Sequence, residues 1–156
     1  MSEEFIEDPK IDEIESPALR DFFSIWQTLC KEHVSPGRAD FSLTLFAEHL
    51  PYMAVNDYDR DTGRFFVRLF GYGYVNGIGA DLTNKFVDEV PNTEGLLARY
   101  AWLVENKRPY LSRGNKLDWS SKDYQIYNVL ACPLFDNLGE VTTLMFRIEF
   151  SSPTDL

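Results

Sequence analysis

RFFVRLFGYGYVNGIGADLTNK, residues 64–85, is the stretch on which the fold turns. Its first part alternates as an extended strand does. Phe65, Val67 and Leu69 fall on one side, and Phe66, Arg68 and Phe70 on the other. Gly71, Gly73, Gly77 and Gly79 follow, each costing roughly 1 kcal/mol against alanine in a helix interior, so no long regular helix is expected here. The reading is a strand running into short helical turns beside a pocket. Glycines after a strand resemble a dinucleotide loop only superficially. That loop needs a buried parallel strand and a long helix opening at the glycines, whereas Gly77 and Gly79 interrupt any such helix and the strand belongs to a hairpin. Structural turns, or access to a pocket, remain as their roles.

Upstream, residues 52–57 form the partner strand, joined to 64–70 through the turn formers of DYDRDTG. A shorter helical segment is expected around 42–50, and SPGRAD, residues 35–40, stops the helix before it. That helix opens at Ser16 and Pro17, a side-chain cap followed by a residue suited to the first turn. Leu19, Phe22, Phe23, Trp26, Leu29 and Cys30 recur along it at three- and four-residue spacing. So wide a stripe must be covered, either by the chain's own sheet or by a second copy. The expectation carried forward is a homodimer through Leu19, Phe22, Phe23, Trp26 and Leu29.

Downstream, Asn92 after Pro91 starts a helix to about residue 107 whose stripe is Leu96, Leu97, Tyr100, Leu103 and Val104, stopped by Arg108 and Pro109. Three strands complete the chain, at about 110–116, 124–135 and 140–150, the last two joined by a turn through Asp136, Asn137, Leu138 and Gly139. Both faces of 124–135 are apolar, which suits a central strand covered on both sides. The order predicts an α+β fold: a five-stranded antiparallel sheet with helices on one face and an amphipathic N-terminal helix, residues 16–34. Residues 1–15 read as an acidic flexible tail, 16–150 as one domain, and 151–156 as a C-terminal tail.

The 156 residues suit a single domain with a real core, 44% hydrophobic and 26% charged; aromatics at 15% point to a core or pocket built from rings. A net charge of −10 repels phosphate backbones and anionic membranes, so neither nucleic acid nor a membrane is an expected partner. Two cysteines, Cys30 and Cys132, both in apolar segments, indicate no disulfide framework. With no signal segment and no membrane-length apolar run, a cytoplasmic protein is expected.

The order of elements resembles the PAS domain, and the sequence is similar to a bacterial group of small PAS-like proteins. The likeness rests on Pro36, Gly37, Arg38, Ala39 and Asp40 after the helix; on Leu50 and Pro51 before the first strand; and on Arg68, Leu69, Phe70 and Gly71 at a strand end. Gly79, Ala80, Asp81, Leu82 and Thr83 follow, then Pro133, Leu134 and Gly139 near the final hairpin. Asn84 stands where the group commonly has glycine, and asparagine tolerates positive φ better than most residues. The resemblance implies a sensory or regulatory module that binds a signalling protein or a small ligand, often as a dimer. No kinase, cyclase or DNA-binding unit is evident, so a signal would pass by contact.

Candidate ligand-binding residues are Arg68, Tyr72, Tyr74, Trp102 and Tyr127, the rings for a small apolar or aromatic ligand and the arginine for an acidic group or an internal carboxylate, Asp81 or Asp88. The competing reading of the rings is core packing. The cofactor is left unknown. Cys30 and His33 lack further metal ligands at suitable spacing, neither histidine sits where a haem would need it, and neither cysteine is where a flavin photosensor requires it. The other functional class is a small enzyme on a cone-like sheet with a carboxylate base, Asp57 with Tyr58 or Tyr127; a solvated turn around Asp59 and Asp61 weighs against it, and no catalytic residue is assigned.

Overall fold

The structure is a computed structural model and describes residues 3–117 and 126–151. The start of the strand expected from residue 124 and the tail from 152 lie outside the described residues. In chain order the elements are β1 (Glu4–Glu7), α1 (Pro17–Glu32), β2 (Met53–Asp59), β3 (Arg64–Phe70), α2 (Tyr72–Ile78), α3 (Glu94–Asn106), β4 (Tyr110–Lys116), β5 (Ile126–Phe135) and β6 (Val141–Ser151). The strands form one antiparallel sheet in the order β1-β4-β5-β6-β2-β3.

The sheet therefore has six strands, where five were expected. The added one, β1, lies inside the segment read as a flexible acidic tail. Its four residues alternate: Phe5 stacks edge-on against Trp102 at 5.3 Å, while Ile6 packs toward α1. The flanking acids meet arginines, Glu3 with Arg99, Glu4 with Arg113 and Asp8 with Arg108. The run looked solvated because its basic partners are distant in sequence.

The stripe on α1 covers the chain's own sheet. Leu19, Phe22, Phe23, Trp26 and Leu29 are buried with Met53, Val55, Leu111, Leu130, Cys132, Leu134 and Met145. The side chains assigned to a dimer interface are thus enclosed within one chain, because the α1-facing side of β2, β4, β5 and β6 is as apolar as the helix. Ser16 caps α1 by accepting from the Leu19 amide at 3.2 Å. Trp26 Nε1 donates to the Pro133 carbonyl at 2.8 Å. Proline is rare in a central strand, but β4 begins at Tyr110 opposite Ala131, so Pro133 lies past the end of that pairing. Between α1 and β2, the helix expected at 42–50 is instead a run of turns ending in a 3-10 turn at Leu50–Tyr52, pinned by the fully buried Phe46 against Phe22 and Phe41.

The opposite face carries α2, α3 and a second core. A β-bulge shapes its edge. Val55 pairs with Leu69 but Asn56 pairs with Val67, which leaves Arg68 as an extra residue on β3. The alternation expected for residues 64–70 therefore breaks at Arg68. Leu69 joins the α1-side core with Val55, and Phe70 turns to the other face beside Tyr74. The next segment seals this edge: the Asn84 amide donates to Val67 O and the Val67 amide to Lys85 O. Asn84 sits at φ 66, the left-handed conformation for which its amide side chain suits it.

Candidate functional site

Between the sheet and helices α2 and α3 lies a cavity of about 40 Å³. Val67 and the bulge-turned Phe70 line it from β3, Asn56 from β2, and Tyr74 from α2. Arg99 and Tyr100 come from α3, Tyr110 and Tyr127 from β4 and β5. Short α2 reaches this position because Gly71 and Gly77 carry no side chain. A Cβ on Gly71 would strike the Leu50 and Pro51 backbone, and one on Gly77 would strike the Phe150 ring. Gly79 then ends the helix at φ 89. The glycines are packing and turn devices, and Asp81 completes the turn by accepting from both the amide and the hydroxyl of Thr83.

The lining mixes rings with polar atoms that have no partner. Asn56 is 3% exposed, and its Oδ1 is buried without a hydrogen bond. Among the described residues, the hydroxyls of Tyr74, Tyr100 and Tyr110 bond to no other residue. Burial pushes all three phenols well above their ordinary range, with further upward pressure from neighbouring tyrosines. They stay protonated at any physiological pH and so remain hydrogen-bond donors. Thr93, also in the lining, has its hydroxyl committed to the carbonyls of Val87 and Val90. The cavity can accommodate a few waters or a very small polar molecule; anything larger must displace a ring.

Of the five candidate ligand residues, Tyr74 and Tyr127 line the cavity. Arg68 does not. As the bulged residue it points outward, over the Phe66 ring at 4.6 Å, with Nε donating to Asp57 Oδ2 at 2.6 Å. Its partner is neither Asp81 nor Asp88; Asp88 instead takes a bidentate pair from Arg64. Tyr72 stands on the outer side of α2, 74% exposed. Trp102 packs against Phe5 and Tyr110, occupied by the strand missed in the sequence. Asn56, Arg99, Tyr100 and Tyr110 were missed as lining residues. Tyr100 could have been found from the apolar stripe of α3, whereas nothing local distinguishes Asn56 from any polar residue in a strand.

The carboxylate of the enzyme reading is engaged on both oxygens. Asp57 Oδ1 is 3.5 Å from Arg38 Nε and accepts from Thr143, while Oδ2 accepts from Arg68. It lies on the α1 side of the sheet, opposite Tyr58 and Tyr127, so neither tyrosine is brought to it.

No family model matches the chain, and no curated protein matches it. Solved structures do. A light-oxygen-voltage domain studied with a flavin analogue aligns at a TM-score of 0.52 and 11% identity, over 76% of this chain and 91% of that one. A sensory box sensor histidine kinase from Vibrio cholerae aligns at 0.48 and 13%, over 70% and 90%. The PAS domain of the histidine kinase ThkA aligns at 0.46 and 13%, over 62% and 97%. The fold is PAS-like, as the motifs implied. The flavin of the first neighbour does not fit here. The cavity is far below the 300 Å³ or more of an ordinary small-molecule pocket, and Cys30 and Cys132 belong to the core on the other face of the sheet.

Proposed function

We propose that this chain is a sensory or regulatory module that responds to a small molecule in the cavity beneath α2 and α3 and passes the response to a signalling protein by contact. The observation that carries the reading is the buried, unpaired Asn56 Oδ1 on a wall shared with Tyr74, Tyr100 and Tyr110. A core built only for stability would fill that space with apolar side chains, since each unpaired buried polar group costs about 1–3 kcal/mol. A ligand offering a donor to Asn56 and acceptors to the tyrosines would satisfy all of them. At about 40 Å³ the space takes a very small polar molecule as it stands, and a ring-sized body enters only by displacing one of the wall rings.

Native mass spectrometry and an absorbance scan of freshly purified protein test this. The expected result is a co-purifying small molecule held by the wild type and lost from Asn56→Leu. Protein free of any adduct, with no thermal shift across a panel of small phenols and amides, would refute the cavity as a sensor. A pull-down from the native cell tests the contact with a signalling protein independently of the cavity.

A further inference from the structure

We propose a second binding site, in the groove between α2, Tyr52 and the end of β6, for a small monocarboxylate carrying an aromatic or apolar body. At the base of the groove is Arg147. It sits mid-strand in β6, 8% exposed, on the α1 side of the sheet. A buried guanidinium needs an anion or a full set of acceptors. Arg147 has neither. Nε donates to His49 Nδ1 at 3.0 Å, one terminal nitrogen donates to the Ile148 carbonyl at 2.6 Å, and the group lies 5.0 Å from the Tyr52 ring centre. Among the described residues it forms no salt bridge, and its other terminal nitrogen makes no hydrogen bond.

The side chain opens onto a groove of about 490 Å³, lined by Tyr52, Tyr72, Asn76 and Glu149 as well as Arg147. Tyr52 and Tyr72 are among the most exposed large rings of the described residues, at 42% and 74%. Rings flanking a cation suit a flat apolar body with one anionic end. Glu149 sets the charge. Its Oε2 is turned to the Ser16 hydroxyl at 2.6 Å, so it does not neutralise Arg147 directly, but its negative charge borders the groove and disfavours a dianion such as phosphate.

The site is wired to α1. Because arginine only donates, His49 Nδ1 must accept, which places the imidazole proton on Nε2, and Nε2 lies 2.6 Å from Asp21 Oδ2 on α1. A carboxylate that draws the guanidinium toward the groove lengthens the Arg147–His49 bond and loosens the link to the helix. The proposal stands independently of the cavity.

The test is a calorimetric titration of the full chain with benzoate, benzamide and inorganic phosphate, paired with a ¹⁵N spectrum of the His49 ring. Saturable benzoate binding is expected, with a shift of the His49 ring nitrogens, and with benzamide and phosphate at least about tenfold weaker, since benzamide lacks the charge that strengthens a hydrogen bond to the guanidinium and phosphate meets the charge of Glu149. Arg147→Lys should weaken benzoate about tenfold. Tyr72→Ala, which changes only an exposed ring, should weaken it severalfold and keeps the test decisive if the Arg147 variant does not fold. No saturable benzoate binding, equal binding of benzamide, tighter binding of phosphate, or benzoate affinity unchanged in Tyr72→Ala would each overturn the proposal.

Discussion

Replacing Asn56 with leucine should stabilise the protein, against the usual sign for a substitution at a position only 3% exposed. Asn56 Oδ1 is buried without a partner, and leaving such a group unsatisfied costs about 1–3 kcal/mol. Leucine removes that cost and adds apolar contact with Ala54, Val67 and Phe146 around the same space. The gain is offset in part by the poorer fit of a branched side chain, so a net of about 1–2 kcal/mol is expected. For a chain of this size that corresponds to a rise in Tm of roughly 3–6 °C. Urea unfolding at 25 °C should show the midpoint moving up with an unchanged slope, because the surface exposed on unfolding hardly alters. A fall in Tm would refute the reasoning, since it would mean that Oδ1 is well satisfied in solution and that leucine strips away its partner. The same variant should lose any cavity ligand, the familiar trade of stability against a binding site.

Phe22→Glu should unfold the protein rather than merely dissociate a dimer, because Phe22 is wholly enclosed between α1, Phe46 and His49; the milder Phe22→Ala should cost about 3–5 kcal/mol in urea unfolding. Gly77→Ala should destabilise by about 1–3 kcal/mol, since the added methyl meets the Phe150 ring, and pairing it with Phe150→Leu should restore part of the loss in a double-mutant comparison. Asp136 is held below the ordinary carboxylate range by hydrogen bonds from the backbone amides of Glu140 and Leu138 and by Arg60. With the folded pKa depressed, its contribution is full above about pH 4, its unfolded range, and is lost as pH falls through the folded value. Asp136→Asn should therefore unfold more easily than the wild type at pH 7, with the gap closing below pH 4 in urea titrations.

The sheet and its helices were legible because their periods are strong: the α1 stripe, the α3 stripe and the two apolar faces of β5 each survive any choice of boundary. What covers the α1 stripe was not, since periodicity marks an apolar face without naming its partner. The answer was present in β5, whose Leu130, Cys132 and Leu134 required cover on the side that α2 and α3 do not reach. β1 escaped because four residues in an acidic run carry too little pattern, and with it went the environment of Trp102. The bulge was invisible because RFFVRLF alternates acceptably with or without an extra residue. That one residue decided the site: it sent Arg68 outward and Phe70 into the cavity wall. Asn56 and Tyr110 became neighbours only through the folded sheet, so no window of sequence could have joined them.

The bulge at Arg68 also bears on how this gene can change. β3 already holds one residue more than its pairing with β2 uses, so loss of a single codon there would leave a regular hairpin rather than a broken one. The shortened strand would keep its hydrogen bonds, with Leu69 still opposite Val55 and Phe70 still opposite Ala54, so both side chains would keep their present faces. The deletion would remove the Arg68–Asp57 pair and leave Val67 and Phe70 in the cavity wall, making this edge a place where the chain can lose a residue without rebuilding the space behind it.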